Sequence, residues 1–123
     1  MTGKEKAIIA KDAAVEKKAG ELLLLDVSEI TEIADVFLIA QGRNRSQTQA
    51  IADEIMDKLD EQGIQELRKE GYSNGGWILL DYGDFVAHIF MPEEYEYFNL
   101  PRLWKDAVFT KFDEDGKEIN ESL

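Results

Sequence analysis

Trp77-Ile78-Leu79-Leu80-Asp81-Tyr82-Gly83-Asp84-Phe85-Val86-Ala87-His88-Ile89-Phe90 is the stretch whose reading decides the fold. Two apolar runs flank Tyr82-Gly83, and runs of this kind around a glycine turn read as a β-hairpin. With Tyr82 and Gly83 as a two-residue loop, Asp81 faces Asp84, Leu79 faces Val86 and Trp77 faces His88. Directly paired residues share a face. One face is then Ile78, Leu80, Phe85, Ala87 and Ile89, all apolar. The other carries Trp77, Leu79, Asp81, Asp84, Val86 and His88. A face that mixes a large aromatic, a histidine and two carboxylates is unusual for a core and ordinary for a recognition surface. Two alternatives stand beside this reading. A bulge at Gly83 would shift the pairing. Packing of Trp77 and His88 beneath a C-terminal helix would make them core residues.

Working outward, Leu22-Leu23-Leu24-Leu25-Asp26-Val27 and Val36-Phe37-Leu38-Ile39-Ala40 read as strands buried on both faces. A first helix is expected over Lys4 to Ala19, with Ile8, Val15 and Ala19 as its apolar stripe and Gly20 as its stop. A second helix opens at Ser46, whose S-x-x-Q spacing to Gln49 is a capping box, and runs to about Gln62. Ile51, Ala52, Ile55 and Leu59 share its inner face. Ile64 to Glu70 reads as a short edge strand, Pro92 breaks the last hairpin strand, and Glu93 to Phe109 reads as a helix interrupted near Asn99-Leu100-Pro101. The expected fold class is α/β: a single-domain sandwich over 1–109, with one mixed β-sheet and packed helices, followed by an acidic flexible tail over 110–123.

The balance of charge narrows the partner. Twenty-six acidic residues against 14 basic ones give −12, and most of this surface would repel a phosphate backbone. Such a chain suits a basic protein, although net charge also serves solubility. Cysteine is absent, which excludes disulfide frameworks and thiolate metal sites. The N-terminus is too charged for a signal peptide and no apolar run is long enough to span a membrane, so a cytoplasmic protein is expected.

The enzyme readings are thin. Asp35, Asp81, Asp84 and His88 could be imagined around a divalent ion, but Asp-Tyr-Gly-Asp is equally good turn chemistry and the chain has one histidine. Gly42-Arg43-Asn44-Arg45-Ser46 lies between a strand and a helix, a place where phosphates bind. It lacks the P-loop and dinucleotide-binding patterns, and no alternating carboxylate pair stands on an expected strand. No catalytic residue, metal or cofactor is expected; the alternative to a non-enzymatic protein is a nucleotidyltransferase-like enzyme acting at Gly42 to Ser46.

Taken together these segments resemble a known family. Leu25-Asp26-Val27, Asp35 to Gly42, Ala50-Ile51-Ala52-Asp53, Glu70-Gly71, Trp77 to Asp84, Val86, His88-Ile89-Phe90, Tyr97, Leu100, Leu103-Trp104 and Asp106-Ala107 are similar to the Iojap-like ribosomal silencing factors. The run W-I-L-L-D-Y-G-D is the most specific. The resemblance covers about Lys4 to Ala107. It implies a nucleotidyltransferase-like fold without the catalytic residues, and a translation repressor that binds the large ribosomal subunit. The implied target is a basic protein of the intersubunit face, protein fourteen, whose occupation keeps the small subunit from docking. The chain departs from the family at Arg43 and Arg45, where small or polar residues are usual, which leaves a secondary contact with ribosomal RNA open. The expected partner-binding patch is Trp77, Asp81, Asp84 and His88, extended by Tyr97, Leu100 and Trp104, in a monomer or weak homodimer.

Overall fold

The structure, a computed structural model, describes residues 1–119. Seven strands form one mixed sheet: β1 (Leu22–Asp26), β2 (Val36–Gln41), β3 (Arg68–Glu70), β4 (Trp77–Asp81), β5 (Phe85–Phe90), β6 (Val108–Phe112) and β7 (Glu118–Ile119). Their order across the sheet is β3-β4-β5-β2-β1-β6-β7. Only the central β2–β5 pair is parallel; every other neighbouring pair is antiparallel. Helices α1 (Gly3–Glu16) and α2 (Arg45–Asp60) cover one face, and two short helices, α3 (Pro92–Phe98) and α4 (Leu100–Leu103), lie over the other.

The four leucines of β1 divide as a doubly covered strand must. Leu22 and Leu24 join Leu38, Ile51, Ile55, Ile78, Leu80, Phe85 and Ile89 under the two long helices. Leu23 and Leu25 join Phe37, Ile39, Val86, Phe90 and Leu100 on the opposite side. Full burial of each such side chain contributes roughly 1.5–3 kcal/mol.

The first helix differs from its expected form. Its buried face is Gly3, Ala7, Ala10, Ala13 and Ala14, whereas Ile8 is 39% exposed. Small side chains let the helix axis come close to the sheet, which a stripe of larger residues would prevent. At its start a Cβ on Gly3 would lie 2.8 Å from the Asp84 carbonyl oxygen. Thr2 caps the helix in a box with Glu5. The helix stops at Glu16 rather than at Gly20, with Lys18 in the left-handed region at φ 60.

The cap of α2 is also shifted from Ser46. Asn44 is the N-cap and accepts from the Gln47 amide at 2.9 Å, while Gln47 Oε1 accepts from the Arg43 amide at 2.6 Å. Its inner face is as expected: Ile51, Ala52, Ile55 and Leu59 are all fully buried.

The hairpin closes around Gly83-Asp84, not Tyr82-Gly83, because the Tyr82 amide bonds the Phe85 carbonyl at 2.8 Å. Gly83 has φ 87 at the first central position, the residue and sign that a type II′ turn requires. The pairs are therefore Trp77–Phe90, Leu79–His88 and Asp81–Val86. The slip in pairing is two residues, and side chains alternate with period two, so the partition between faces survives. Asp84 alone changes place: it lies in the turn and meets Lys6 of α1 at 2.8 Å.

The chain beyond α4 corrects the last expectation. Residues expected to extend a helix to Phe109 and then a tail instead begin β6, which pairs with the outer edge of β1, and β7 pairs with β6. The boundary expected between 109 and 110 falls inside β6, and Phe112 is buried against the α1 side. The part of the expected tail over 120–123 lies outside the described residues.

Candidate functional site

Covering of the second sheet face is thin. No residue of α3 is fully buried and only Leu100 of α4 is. Pro92 starts α3 at a position where a missing amide donor is harmless, and Asn99, at φ 43, ends it and turns the chain into α4.

Under these two helices the aromatic residues run from fully buried to fully exposed. Phe90 and Phe37 are buried. Trp77 is half-buried, with its ring 5.0 Å from Phe90 and 4.6 Å from Phe98. Trp104, also half-buried, stands edge-on to Phe37 at 5.2 Å. Tyr95 packs edge-on to Phe90, and burial pushes its hydroxyl up to about 12. Phe98 is 38% exposed and Tyr97 is 82% exposed, with the two rings perpendicular at 5.0 Å. Leu103 is exposed beside them.

His88 sits inside this layer. It is buried, its Nδ1 accepts a hydrogen bond from Trp77 Nε1 at 3.1 Å, and Phe37 lies edge-on at 5.1 Å. Burial lowers its pKa from 6.5 to about 4, so the ring is neutral near pH 7. An acceptor at Nδ1 assigns the remaining proton to Nε2. The expectation that His88 lies on an open recognition surface is thereby corrected: it is buried among Phe37, Trp77 and Phe90, and it orients Trp77.

Of the seven residues expected to form one patch, Trp77, His88, Leu100 and Trp104 do share this layer. Leu100 belongs to its buried part, anchoring α4 to the sheet. Asp81 stands at the far end of β4, where it accepts from the Gly83 amide at 2.8 Å and meets Arg68 at 3.5 Å. Tyr97 projects outward from α3. Asp84 is on the helix side with Lys6 and does not join the patch. The expected patch omits Phe98 and Leu103. Both stand in the aromatic segment, yet only the turn at Asn99 reveals that they face outward.

Carboxylates ring the exposed apolar side chains. Glu93 and Glu94 line a hollow of about 440 Å³ with Tyr97 and Phe98, and Glu96 lines a second with Tyr97, Phe98, Asn99, Leu103 and one cation, Arg102. On the other side of Trp77, Glu70, Gly71 and Leu79 border a shallow recess of about 280 Å³. Aromatic anchors beside carboxylates suit a basic protein surface.

The side chains are less favourably placed for chemistry. Among the described residues no group of three or more His, Asp or Glu could hold a metal ion. At Gly42 to Ser46 the side chains of Asn44 and Gln47 serve the helix start. Asp35, which the sequence sets beside Asp81, Asp84 and His88, uses its backbone to bond the turn at Asp84. No helix of the described residues is long and apolar enough to cross a membrane.

Comparison with known proteins agrees with this geometry. The family described as "Ribosomal silencing factor during starvation" matches residues 1–122. The ribosomal silencing factor of Bacillus subtilis is 45% identical over 105 residues, covering 85% of this chain and 89% of that protein. A crystal structure of a Chromobacterium violaceum protein superposes with a TM-score of 0.83 at 30% identity, over 85% of this chain and 88% of that one. A Bacillus halodurans crystal structure gives 0.75 at 40% identity, over 82% and 94%. With the match running through both sheet faces and the C-terminal segment, the chain belongs to the ribosomal silencing factors, a regulatory and non-enzymatic family.

Proposed function

We propose that this protein binds the large ribosomal subunit through a basic protein of its intersubunit face, protein fourteen, and represses translation by sterically blocking the small subunit. The observation that carries the reading is the rim of α3 and α4. Tyr97, Phe98 and Leu103 are 82%, 38% and 71% exposed and lie together as one patch, and Glu93, Glu94 and Glu96 stand beside them. In this reading Tyr97, Phe98 and Leu103 touch the partner, with Trp77, Leu100 and Trp104 packed behind them. The α3 carboxylates and Asp81 meet its Lys and Arg side chains. The −12 charge of the chain steers the encounter. The role belongs in the cytoplasm, where ribosomal subunits are.

The test is co-sedimentation with isolated large subunits, read beside light scattering of subunit joining. Addition of the protein should lower joining in proportion to the large subunits it occupies. Asp84→Asn, on the helix face, should behave as wild type in both assays. Full joining at saturating occupancy would sink the steric reading, and failure to sediment would sink the partner.

A further inference from the structure

Fourteen basic residues share a chain with 26 acidic ones, and among the described residues a minority of them form an ion pair. Lys6, Lys11, Lys58 and Arg68 each have one. Lys18, Arg43 and Arg45 are exposed, and no carboxylate of the described residues comes within 4.0 Å of their charged nitrogens. Lys17 is different: its charge acts on Glu54.

Lys69, Arg102, Lys105 and others also have no carboxylate of the described residues within 4.0 Å, and what sets Lys18, Arg43 and Arg45 apart is that the fold gathers them at one corner. The Gln47 side chain, 8% exposed, donates from Nε2 to the carbonyls of Lys17 at 3.1 Å and Lys18 at 2.8 Å, while its oxygen holds the Arg43 amide. One side chain thus ties the end of α1 to the start of α2. Lys18 is kept at φ 60, a conformation that a lysine avoids and that persists only where its surroundings impose it. Lys18 and Arg43 both line a hollow of about 250 Å³ whose other walls are Gly20, Gln41, Gly42 and Pro92, with no carboxylate. A larger neighbouring hollow, also lined by both, adds Glu114 and Asp115 on its far side. The stem of Arg45 lies over Gly75 so closely that a Cβ there would collide with it. Pro92 is the first residue of α3, so this corner adjoins the apolar rim.

We propose that Lys18, Arg43 and Arg45 form a second contact of the docked protein, occupied by the phosphate backbone of ribosomal RNA. The proposal rests on the large-subunit reading above and deepens it. Three exposed cations without an ion pair, gathered at one corner of an otherwise acidic protein, suit an outside anion. Arginine matches phosphate oxygens with its planar fork. The apolar rim then selects the protein neighbour, and the basic corner reads the RNA beside it as charge, without sequence.

The experiment measures binding of wild type, Arg43→Gln/Arg45→Gln and Lys18→Gly to two targets across a salt series: intact large subunits and the isolated basic ribosomal protein. Lys18→Gly removes the charge while placing glycine where φ is positive, so it keeps the fold. The double variant should bind intact subunits roughly tenfold more weakly, with the slope of log affinity against log salt lowered by about 1.4–1.8. Lys18→Gly should lower the slope by about half as much. Affinity for the isolated ribosomal protein should be unchanged for both. Unchanged subunit affinity and slope in both variants would overturn the proposal, as would equal losses on the two targets. If wild type bound subunits but not the isolated protein, and the variants still lost slope, the protein-docking reading would fail while the RNA contact stood.

Discussion

Truncation of Trp77 and of Tyr97 separates the core role of this aromatic layer from its surface role. Trp77 is half-buried, touches Phe90 and Phe98, and donates to His88. Removing a fully buried Trp costs about 3–5 kcal/mol. Partial exposure reduces that, while the acceptor left on His88 adds back about 1 kcal/mol. Trp77→Ala should therefore cost about 2–3 kcal/mol, and a domain of this size loses roughly 4 °C of Tm per kcal/mol, giving a fall of about 10 °C. Tyr97 is 82% exposed, so Tyr97→Ala should stay within about 0.5 kcal/mol of wild type and within about 2 °C. Binding should show the reverse emphasis. A truncated aromatic anchor costs ~2 kcal/mol or more, so Tyr97→Ala should weaken large-subunit affinity about 30-fold or more. Thermal melting and subunit affinity measured on the same two preparations decide the matter. Tyr97→Ala melting as low as Trp77→Ala, or binding as tightly as wild type, would refute the assignment of an outward-facing anchor to α3.

Two further outcomes follow from the structure. His88 stays neutral in the folded protein down to about pH 4, whereas in the unfolded chain it takes a proton near 6.5. The unfolded state therefore binds more protons below pH 6.5, and stability falls as pH drops from there towards 4, by about 2 kcal/mol at pH 5. Denaturant titrations at pH 7.5 and pH 5 should show this loss in wild type and a smaller one in His88→Gln; equal losses would remove His88 as its source. On the other face, Ala10→Leu should cost about 1–3 kcal/mol through overpacking, because Ala10 is fully buried where α1 meets the sheet. A melting temperature equal to wild type would mean that α1 can lift from the sheet without loss, and that its alanines do not set the approach.

How far the amino-acid sequence disclosed this arrangement depended on whether the deciding contact was local. The leucines of β1 were legible because a strand buried on both sides has no alternation to misread. The inner face of α2 was legible from its helical period. The face of α1 was not: alanines carry little hydrophobic signal, and the eye goes to Ile8, which is exposed. Asn44 and Ser46 are comparable caps, and the choice between them falls to Gln47, whose amide reaches the carbonyls of Lys17 and Lys18 some thirty residues away. The hairpin offered two loops of equal length, and Gly83 suits the first central position of the one adopted. Val108-Phe109-Thr110-Lys111-Phe112 carried a usable signal, since β-branched and aromatic residues dominate it. What placed it in the sheet was the open edge of β1, which no local pattern records.

The mixed character of the second sheet face follows from the thinness of its cover. Helices α1 and α2 are 14 and 16 residues long and can bury an apolar face completely, so the residues beneath them are apolar apart from the Tyr82 hydroxyl. Seven residues of α3 and four of α4 cannot. Beneath so small a lid the layer has to grade outward, from Phe90 at 1% exposure through half-buried Trp77 and Trp104 to Tyr97. Polar atoms near its edge need partners, and Trp77 Nε1 finds His88. A partner that covers Tyr97, Phe98 and Leu103 would complete the layer and bury Trp77 further. Docking on this face would then continue the packing of the core, and the protein should melt at a higher temperature when bound, by an amount that grows with occupancy.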